Sequence, residues 1–215
     1  MPTMILLSLN GLYLGAAYRQ SQLLFWILDV SQFVVVPVLS FWILFRYGQV
    51  SPNQYGLSLP TKNADPVSAL ILCVFISFSF CSIYIAARFL GYVVESLWSP
   101  QAFSYGQAIP KQPLLAFYAI AYLALSAGFV EEIVYRGLPH LLLSTRVSEG
   151  KLPLVYSLSS SVLFASAHWE NGSGETFATF LLGLALAALY LRVRNLWPFV
   201  IGHAFTDVLA LTGKL

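Results

Sequence analysis

The chain has 215 residues, of which 58% are hydrophobic and only 9% are Asp, Glu, Lys or Arg. Soluble globular proteins have about 25% charged residues. A water-soluble globule of this composition would expose far more apolar surface than a soluble monomer tolerates, so we expect lipid to surround most of the chain. The net charge of +2 comes without a basic run, which excludes the charged surface that nucleic-acid binding requires.

Cys73 and Cys81 are the only cysteines, and they lie in one apolar run. In a helix their positions are about 12 Å apart, which is too far for a disulfide bond. The sequence also lacks a Cys-x-x-Cys pair, which excludes a cysteine-rich zinc site and an iron–sulfur cluster.

Seven apolar segments, separated by turn-forming residues, organise the sequence. They cover residues 4–17, 23–45, 67–94, 113–143, 153–169, 176–191 and 197–211. The first segment lacks the positive residues that precede a signal peptide's apolar part, so we interpret it as a membrane segment. Its Gly11 and Gly15 form a GxxxG pattern, which is a sign of close helix contact. The predicted fold class is all-α: a polytopic transmembrane helix bundle of about six to eight membrane helices.

The positive residues in the loops predict an orientation, because short loops rich in Lys and Arg stay in the cytoplasm. The loops 46–66, 144–152 and 192–196 contain Arg46, Lys62, Arg146, Lys151, Arg192 and Arg194. The other side has four such residues: Arg19, Arg88, Lys111 and Lys214. This bias places the three loops inside and the 169–175 loop outside.

Ionisable side chains are costly in hydrocarbon, so those within membrane segments face the bundle interior and usually mark function. Asp29 stands alone in the 23–45 segment. The others lie within or beside the last four segments: Glu131, Glu132, Arg136, His140, His168, His203 and Asp207. Any one of them alone has a structural explanation as an ion pair or a packing residue. Two carboxylates and two histidines in adjacent segments together predict a functional site.

Residues four apart share a helix face, which pairs Glu132 with Arg136 and His203 with Asp207. Glu131 lies about 100° around the helix and has no partner at this spacing, which leaves it free to act as a general base. Asp207 is expected to accept a hydrogen bond from one nitrogen of His203 and so to fix its tautomer.

The depths of Glu131, His168 and His203 along their predicted helices can also be compared. If 113–143 is one helix kinked at Pro139, Glu131 lies about 20 Å along it and His168 about 22 Å along the next segment. His203 is only about 10 Å into its segment. The estimate therefore predicts that Glu131 and His168 are level and that His203 is shallower.

Three motifs resemble those of one family. EEIVYRG at 131–137 resembles the EExxxR motif of the CPBP family, the CAAX protease and bacteriocin-processing intramembrane proteases also called Abi. FASAH at 164–168 is similar to its FxxxH motif, and HAFTD at 203–207 to its HxxxN/D motif. The motifs occur in the family's order, each in its own apolar segment. The resemblance divides the chain into N-terminal membrane helices, residues 1–112, without an assigned role and a CPBP-like catalytic core, residues 113–215.

The resemblance implies an intramembrane glutamic endopeptidase. Glu131 would activate the attacking water with the help of His168, and His203 and Asp207 would form the oxyanion site. Glu132 and Arg136 would support them, and no cofactor is implied. The family's type II CAAX prenyl endopeptidases commonly have Asn at the last motif position, where this chain has Asp207. Because an ionised carboxylate cannot donate to an oxyanion, we expect Asp207 to orient His203. The sequence leaves open whether the substrate is prenylated.

The depth and orientation estimates together put Glu131 and His168 in the extracytoplasmic half of the bilayer. We therefore hypothesise an enzyme of a bacterial cell (inner) membrane that processes an exported peptide or the anchor of a surface protein, as a sorting or maturation protease. The expected partners are membrane lipid and a protein or peptide substrate at the membrane. The sequence specifies no oligomeric state.

Two alternatives remain at this point. Glu131, His168 and His203 could be ligands of a catalytic zinc ion, although the sequence has no His-Glu-x-x-His motif, and we prefer the metal-free mechanism. The protein could also be a non-proteolytic immunity factor, scaffold or transporter, because fold does not fix function. A transporter is disfavoured because the sequence shows no repeated halves.

Overall fold

A computed structural model describes residues 2–48, 50–58, 65–97 and 104–213. This part of the chain is helical and has no β-strand, which confirms the predicted all-α class. The α-helices in chain order are α1 Pro2–Ser8, α2 Asn10–Gln20, α3 Gln22–Val30, α4 Val36–Tyr47, α5 Pro66–Gly91, α6 Pro113–Glu132, α7 Leu138–Ser144, α8 Leu152–Ser166, α9 Ser173–Val193 and α10 Trp197–Leu211. One-turn π-helices, Ser31–Val35 and Ile133–Gly137, join α3 to α4 and α6 to α7.

Four helical stretches of the described chain are long and apolar enough to cross a membrane: Gln22–Tyr47, Pro66–Val94, Pro113–Ser144 and Ser173–Val193. The helices α8 and α10 are apolar but shorter, with 15 residues each. The predicted segment 4–17 is divided between α1 and α2. Lys62 and Lys214, which entered the orientation estimate, lie outside the described residues.

The long helices α5 and α6 begin where the sequence supplies a cap and a proline. Asp65 precedes α5 and accepts hydrogen bonds from the N–H groups of Val67 and Ser68. Gln112 caps α6 in the same way, and both helices have Pro in their first turn, where its missing N–H costs nothing. Their outer faces remain apolar: Phe78, Phe89 and Phe117 are exposed. Such surfaces fit a lipid environment.

Within the bundle, α10 packs against both α5 and α6, and α9 packs against α5 and α8. Gly128 allows the closest approach of α6 to α10, because a Cβ atom there would lie 2.9 Å from the Val200 carbonyl oxygen. This contact lies about one turn before Glu131 and brings the end of α6 against the middle of α10.

The π turn before α7 accounts for the irregular helix predicted at Pro139. Proline has no N–H, so in a regular helix the carbonyl of Tyr135 would lose its partner. The Ser160 hydroxyl on α8 donates to this carbonyl at 2.5 Å, and the Tyr156 hydroxyl donates to the next one, that of Arg136, at 3.3 Å. The distortion is thus a wide turn over residues 133–137, and α8 supplies the hydrogen bonds that it needs.

The start of α10 is covered by the turn Pro52–Tyr55. Leu196 is fully buried, and its N–H donates to the Gly56 carbonyl at 2.8 Å. The Tyr190 hydroxyl donates to the Tyr55 carbonyl at 3.3 Å. Because α10 begins inside the bundle, His203 lies beside Glu131. The sequence-based estimate that His203 is shallower was therefore wrong.

Candidate active site

The motif residues meet at one cavity of about 280 Å³. Glu131 from α6, His168 after α8, and His203 and Asp207 from α10 all line it. Residues before position 113 also contribute to its wall: Leu7, Asn10, Gly11, Leu14, Phe33, Tyr84 and Tyr105. The N-terminal helices thus help to enclose the cavity, a role that the sequence did not indicate.

Glu132, Arg136 and His203 form a buried charged network beside the cavity. Arg136 Nε lies 3.4 Å from Glu132 Oε2, and both side chains are fully buried, as the spacing predicted. The guanidinium also stacks on the Phe164 ring, 4.1 Å from its centroid. The other oxygen of Glu132 is 2.8 Å from His203 Nδ1. An ionised carboxylate can only accept, so Nδ1 donates and Nε2 is directed at the cavity.

The expected hydrogen bond from His203 to Asp207 is replaced by this bond to Glu132. Asp207 Oδ2 lies 3.7 Å from His203 Nε2, which is too long for a hydrogen bond. The reason is that α6 packs against α10 and brings Glu132 directly to Nδ1. The expectation that Asp207 orients the imidazole was wrong, and the contacts give that role to Glu132.

Of the two motif glutamates, Glu131 is the one that lines the cavity. Its Oε2 lies 3.9 Å from His203 Nε2 and has no hydrogen-bond partner within the described chain. The residue is only 8% exposed. A buried carboxylate oxygen that faces a cavity without a donor can hold a water molecule.

His168 presents one free nitrogen to the same cavity. Its Nδ1 lies 2.9 Å from the Phe164 carbonyl oxygen. Since a carbonyl only accepts, Nδ1 donates this hydrogen bond, and Nε2 is the ring nitrogen left for the cavity. The Phe164 ring packs edge-on against the imidazole at 4.8 Å and also lies under the Arg136 guanidinium, so the two ends of the FxxxH motif are in contact.

Glu170 also lines the cavity, and the sequence analysis did not single it out. It belongs to the 3₁₀ turn Trp169–Asn171, and its Oε1 accepts a hydrogen bond from the Gly11 N–H at 3.2 Å. Burial raises the pKa of this carboxyl group above its usual value. The available signal was its position two residues after His168. Gly11, expected to mediate a helix contact, is close to this side chain instead.

Glu175 is a further carboxylate at the cavity that the sequence analysis missed. It forms an ion pair with Arg88 at 2.5 Å and accepts a hydrogen bond from the Tyr84 hydroxyl at 3.3 Å. Its charge is therefore balanced within the bundle by a residue of α5.

His140 and Asp29 are not brought to the cavity. The His140 ring packs between Tyr156 and Tyr190 and contacts Arg194. Asp29 is fully buried in α3. Neither residue lines the cavity, which leaves both outside the candidate site.

The alternative zinc site would use Glu131, His168 and His203. Among the residues that the structure describes, no group of three or more His, Cys, Asp or Glu side chains is placed to hold a metal ion. Glu131, His168 and His203 share the cavity without forming such a group.

Comparison with known proteins supports one family. No curated protein and no solved structure matches the chain. Residues 113–209 match the family model described as "Type II CAAX prenyl endopeptidase Rce1-like", and this range contains all three motifs. The match supports an intramembrane endopeptidase. Residues 113–209 are therefore similar to the Rce1-like CAAX protease family.

Proposed function

We propose that this protein is an intramembrane endopeptidase in which Glu131 activates the water that hydrolyses a peptide bond of a membrane-associated or exported protein. The observation that carries the proposal is the unpartnered Oε2 of Glu131, which lies in one cavity with His168 and His203.

In the proposed reaction, water binds between Glu131 and His168 Nε2. Glu131 takes a proton from this water while the oxygen attacks the peptide carbonyl carbon. Glu131 then returns the proton to the leaving nitrogen as the C–N bond breaks, which gives a carboxylic acid and an amine.

His203 would stabilise the oxyanion of the tetrahedral intermediate. Three carboxylates surround its ring, those of Glu132, Glu131 and Asp207, and their charges favour the doubly protonated imidazolium. Its Nε2–H can then donate to the developing negative charge, while Glu132 and Arg136 hold the ring in place.

The proposed substrate is an exported peptide or the anchor of a surface protein in a bacterial cell membrane. Glu170 and Asn171 of the Trp169–Asn171 turn line the cavity, and the loop charges predict that this turn is extracytoplasmic.

The test compares wild-type protein with Glu131→Gln and His168→Ala, and uses Glu149→Gln, an exposed glutamate, as the matched control. Mass spectrometry of membrane and exported proteins first identifies termini that appear only with the wild type. A peptide spanning one such terminus, with and without a prenyl group, is then assayed with purified protein in liposomes.

We expect Glu131→Gln to lower kcat by about 10²–10⁴-fold and Glu149→Gln to leave it unchanged. Activity that resists a zinc chelator supports the metal-free mechanism. If the chelator abolishes activity and added zinc restores it, the same residues are instead ligands of a metal ion. Processing that survives both substitutions would overturn the catalytic proposal in favour of a scaffold.

A further inference from the structure

One buried carboxylate at the cavity has no part in the proposed reaction. Glu170 is 9% exposed, and its Oε2 has no hydrogen-bond partner within the described chain. A buried acceptor without a donor is costly, so this oxygen requires a donor from a water molecule or from a ligand in the cavity.

The charge around the cavity identifies the kind of donor. Its described lining includes four carboxylates, Glu131, Glu170, Glu175 and Asp207, and neither Lys nor Arg. Glu175 is balanced by Arg88, and Glu131 and Asp207 both lie within 4 Å of His203, at 3.9 and 3.7 Å. The charge of Glu170 has no cationic side chain within ion-pair distance in the described chain.

One oxygen of Glu170 is held by a hydrogen bond, and the other has no hydrogen-bond partner within the described chain. The Gly11 N–H in the first turn of α2 binds Oε1, where the positive end of the helix stabilises a negative charge. A Cβ atom on Gly11 would lie 2.6 Å from the Glu170 carboxyl carbon, so only glycine permits this approach. The neighbouring Trp169 donates to the Ser8 carbonyl at 2.9 Å, which holds the turn against the chain between α1 and α2.

We propose that Glu170 determines specificity by binding a positively charged Arg or Lys side chain of the peptide substrate. This inference rests on the proposed function, since it takes the cavity to be a peptide-binding site. A hydrogen bond to a buried charged group is expected to favour the cationic side chain over a neutral side chain of the same shape by about tenfold to a hundredfold.

Binding to the inactive Glu131→Gln protein in lipid nanodiscs tests the proposal. Two pools of membrane-anchored peptides with the same randomised sequences are compared, one with Arg and the other with citrulline, a neutral residue of almost the same shape, at a single position scanned along the peptide. The expected result is tighter binding of the Arg pool at one position, by the factor given above.

Adding Glu170→Gln should remove this preference and leave citrulline binding unchanged, because glutamine keeps an oxygen for the Gly11 N–H. Gly11→Ala, which displaces Glu170 without changing its charge, should weaken the preference as well and provides a second variant if Glu170→Gln does not fold. Glu149→Gln is the charge-matched control and should retain the preference.

Equal binding of the two pools at every position overturns the proposal. The proposal is also overturned if Glu170→Gln weakens the binding of both pools equally while the melting temperature is unchanged. That result would indicate that Glu170 has a general role in the shape of the cavity. Cleavage by the Glu131→Gln protein at the wild-type rate would contradict the proposed function and not the role of Glu170. This cleavage is measured separately from the comparison of Arg and citrulline binding.

Discussion

Arg136 shows how one charged side chain can be stable inside a membrane protein. It is fully buried, 3.4 Å from Glu132, and packed on Phe164. Removing the guanidinium would leave the Glu132 carboxylate buried without its cation. We expect Arg136→Met to lower the free energy of unfolding by about 3–5 kcal/mol, measured by denaturant titration in micelles.

The double variant Glu132→Gln/Arg136→Met is the control for this prediction, because it removes both charges. It should recover part of the lost stability but little activity, since His203 then lacks the carboxylate that orients it. A single variant as stable as the wild type would contradict the prediction.

Asp65 provides a prediction about pH outside the membrane segments. Hydrogen bonds from the Ser68 hydroxyl and from the backbone N–H groups of Ser68 and Val67 lower its pKa below the usual 3.8. The charged form is therefore favoured by folding, and its stabilising contribution is complete above the unfolded pKa and is lost as pH falls through the lower, folded pKa.

Asp65→Asn should keep the cap geometry without the titration. The difference in Tm between wild type and this variant is expected to be constant near neutral pH and to shrink as the pH falls below 3.8. Thermal denaturation across this range measures it, and a difference that grows toward acid pH would refute the assignment.

At the level of single residues, the sequence predicted pairs within one helix better than contacts between helices. The Glu132–Arg136 pair follows from a spacing of four. The Glu132–His203 bond joins α6 to α10, and the contact of Glu170 with Gly11 joins positions 159 residues apart. No periodicity in the sequence encodes contacts between residues so far apart in the chain. For this reason the sequence suggested Asp207 for the role that Glu132 has in the structure. It did not indicate Glu170 at all.

Among the helices, the π turn at residues 133–137 depends on a hydrogen bond from another element. Ser160→Ala would leave the buried Tyr135 carbonyl without its donor, at an expected cost of about 1–3 kcal/mol in the free energy of unfolding. In the Pro139→Ala background this cost should be smaller, because the restored N–H can bind the same carbonyl. A double-mutant cycle of unfolding measurements tests this, and additive effects would contradict it.

The apolar segments predicted the helices because length and hydrophobicity are local properties. The depth of α10 was not predictable in the same way, since it depends on the burial of Leu196 under Gly56. The position of His203 beside Glu131 is a consequence of that packing.

For the whole molecule, the hydrogen bonds place two groups of turns. The turns 52–56 and 194–196 are in contact with each other, and the 169–171 turn contacts the N-terminal helices. The loop charges predict opposite sides of the membrane for these two regions. In a Cys73→Ala/Cys81→Ala background, a cysteine replacing Asn171 should react with an impermeant thiol reagent added outside intact cells. A cysteine replacing Asn53 should react only after the membrane is opened, and the reverse pattern would overturn the extracytoplasmic placement of the site.

The division of the chain at residue 113 remains a prediction, but the cavity uses both parts. Seven of its described lining residues precede position 113. The sequence resemblance was confined to residues after that point because the three motifs lie there, and walls made of Leu, Phe and Tyr leave no recognisable motif.

The π turn between Glu132 and Pro139 also fixes how many residues this segment can have. A π turn amounts to one residue inserted into an α-helix, so deleting one residue from 133–137 would restore a regular helix. The flanking helices would keep nearly their present relation, but a deletion between Glu132 and Arg136 would shorten the spacing of this buried ion pair from four residues to three, so the two side chains would no longer share a helix face in the same way. Insertions and deletions should therefore be tolerated near Gly150, which has open space around it, and eliminated by selection within this turn.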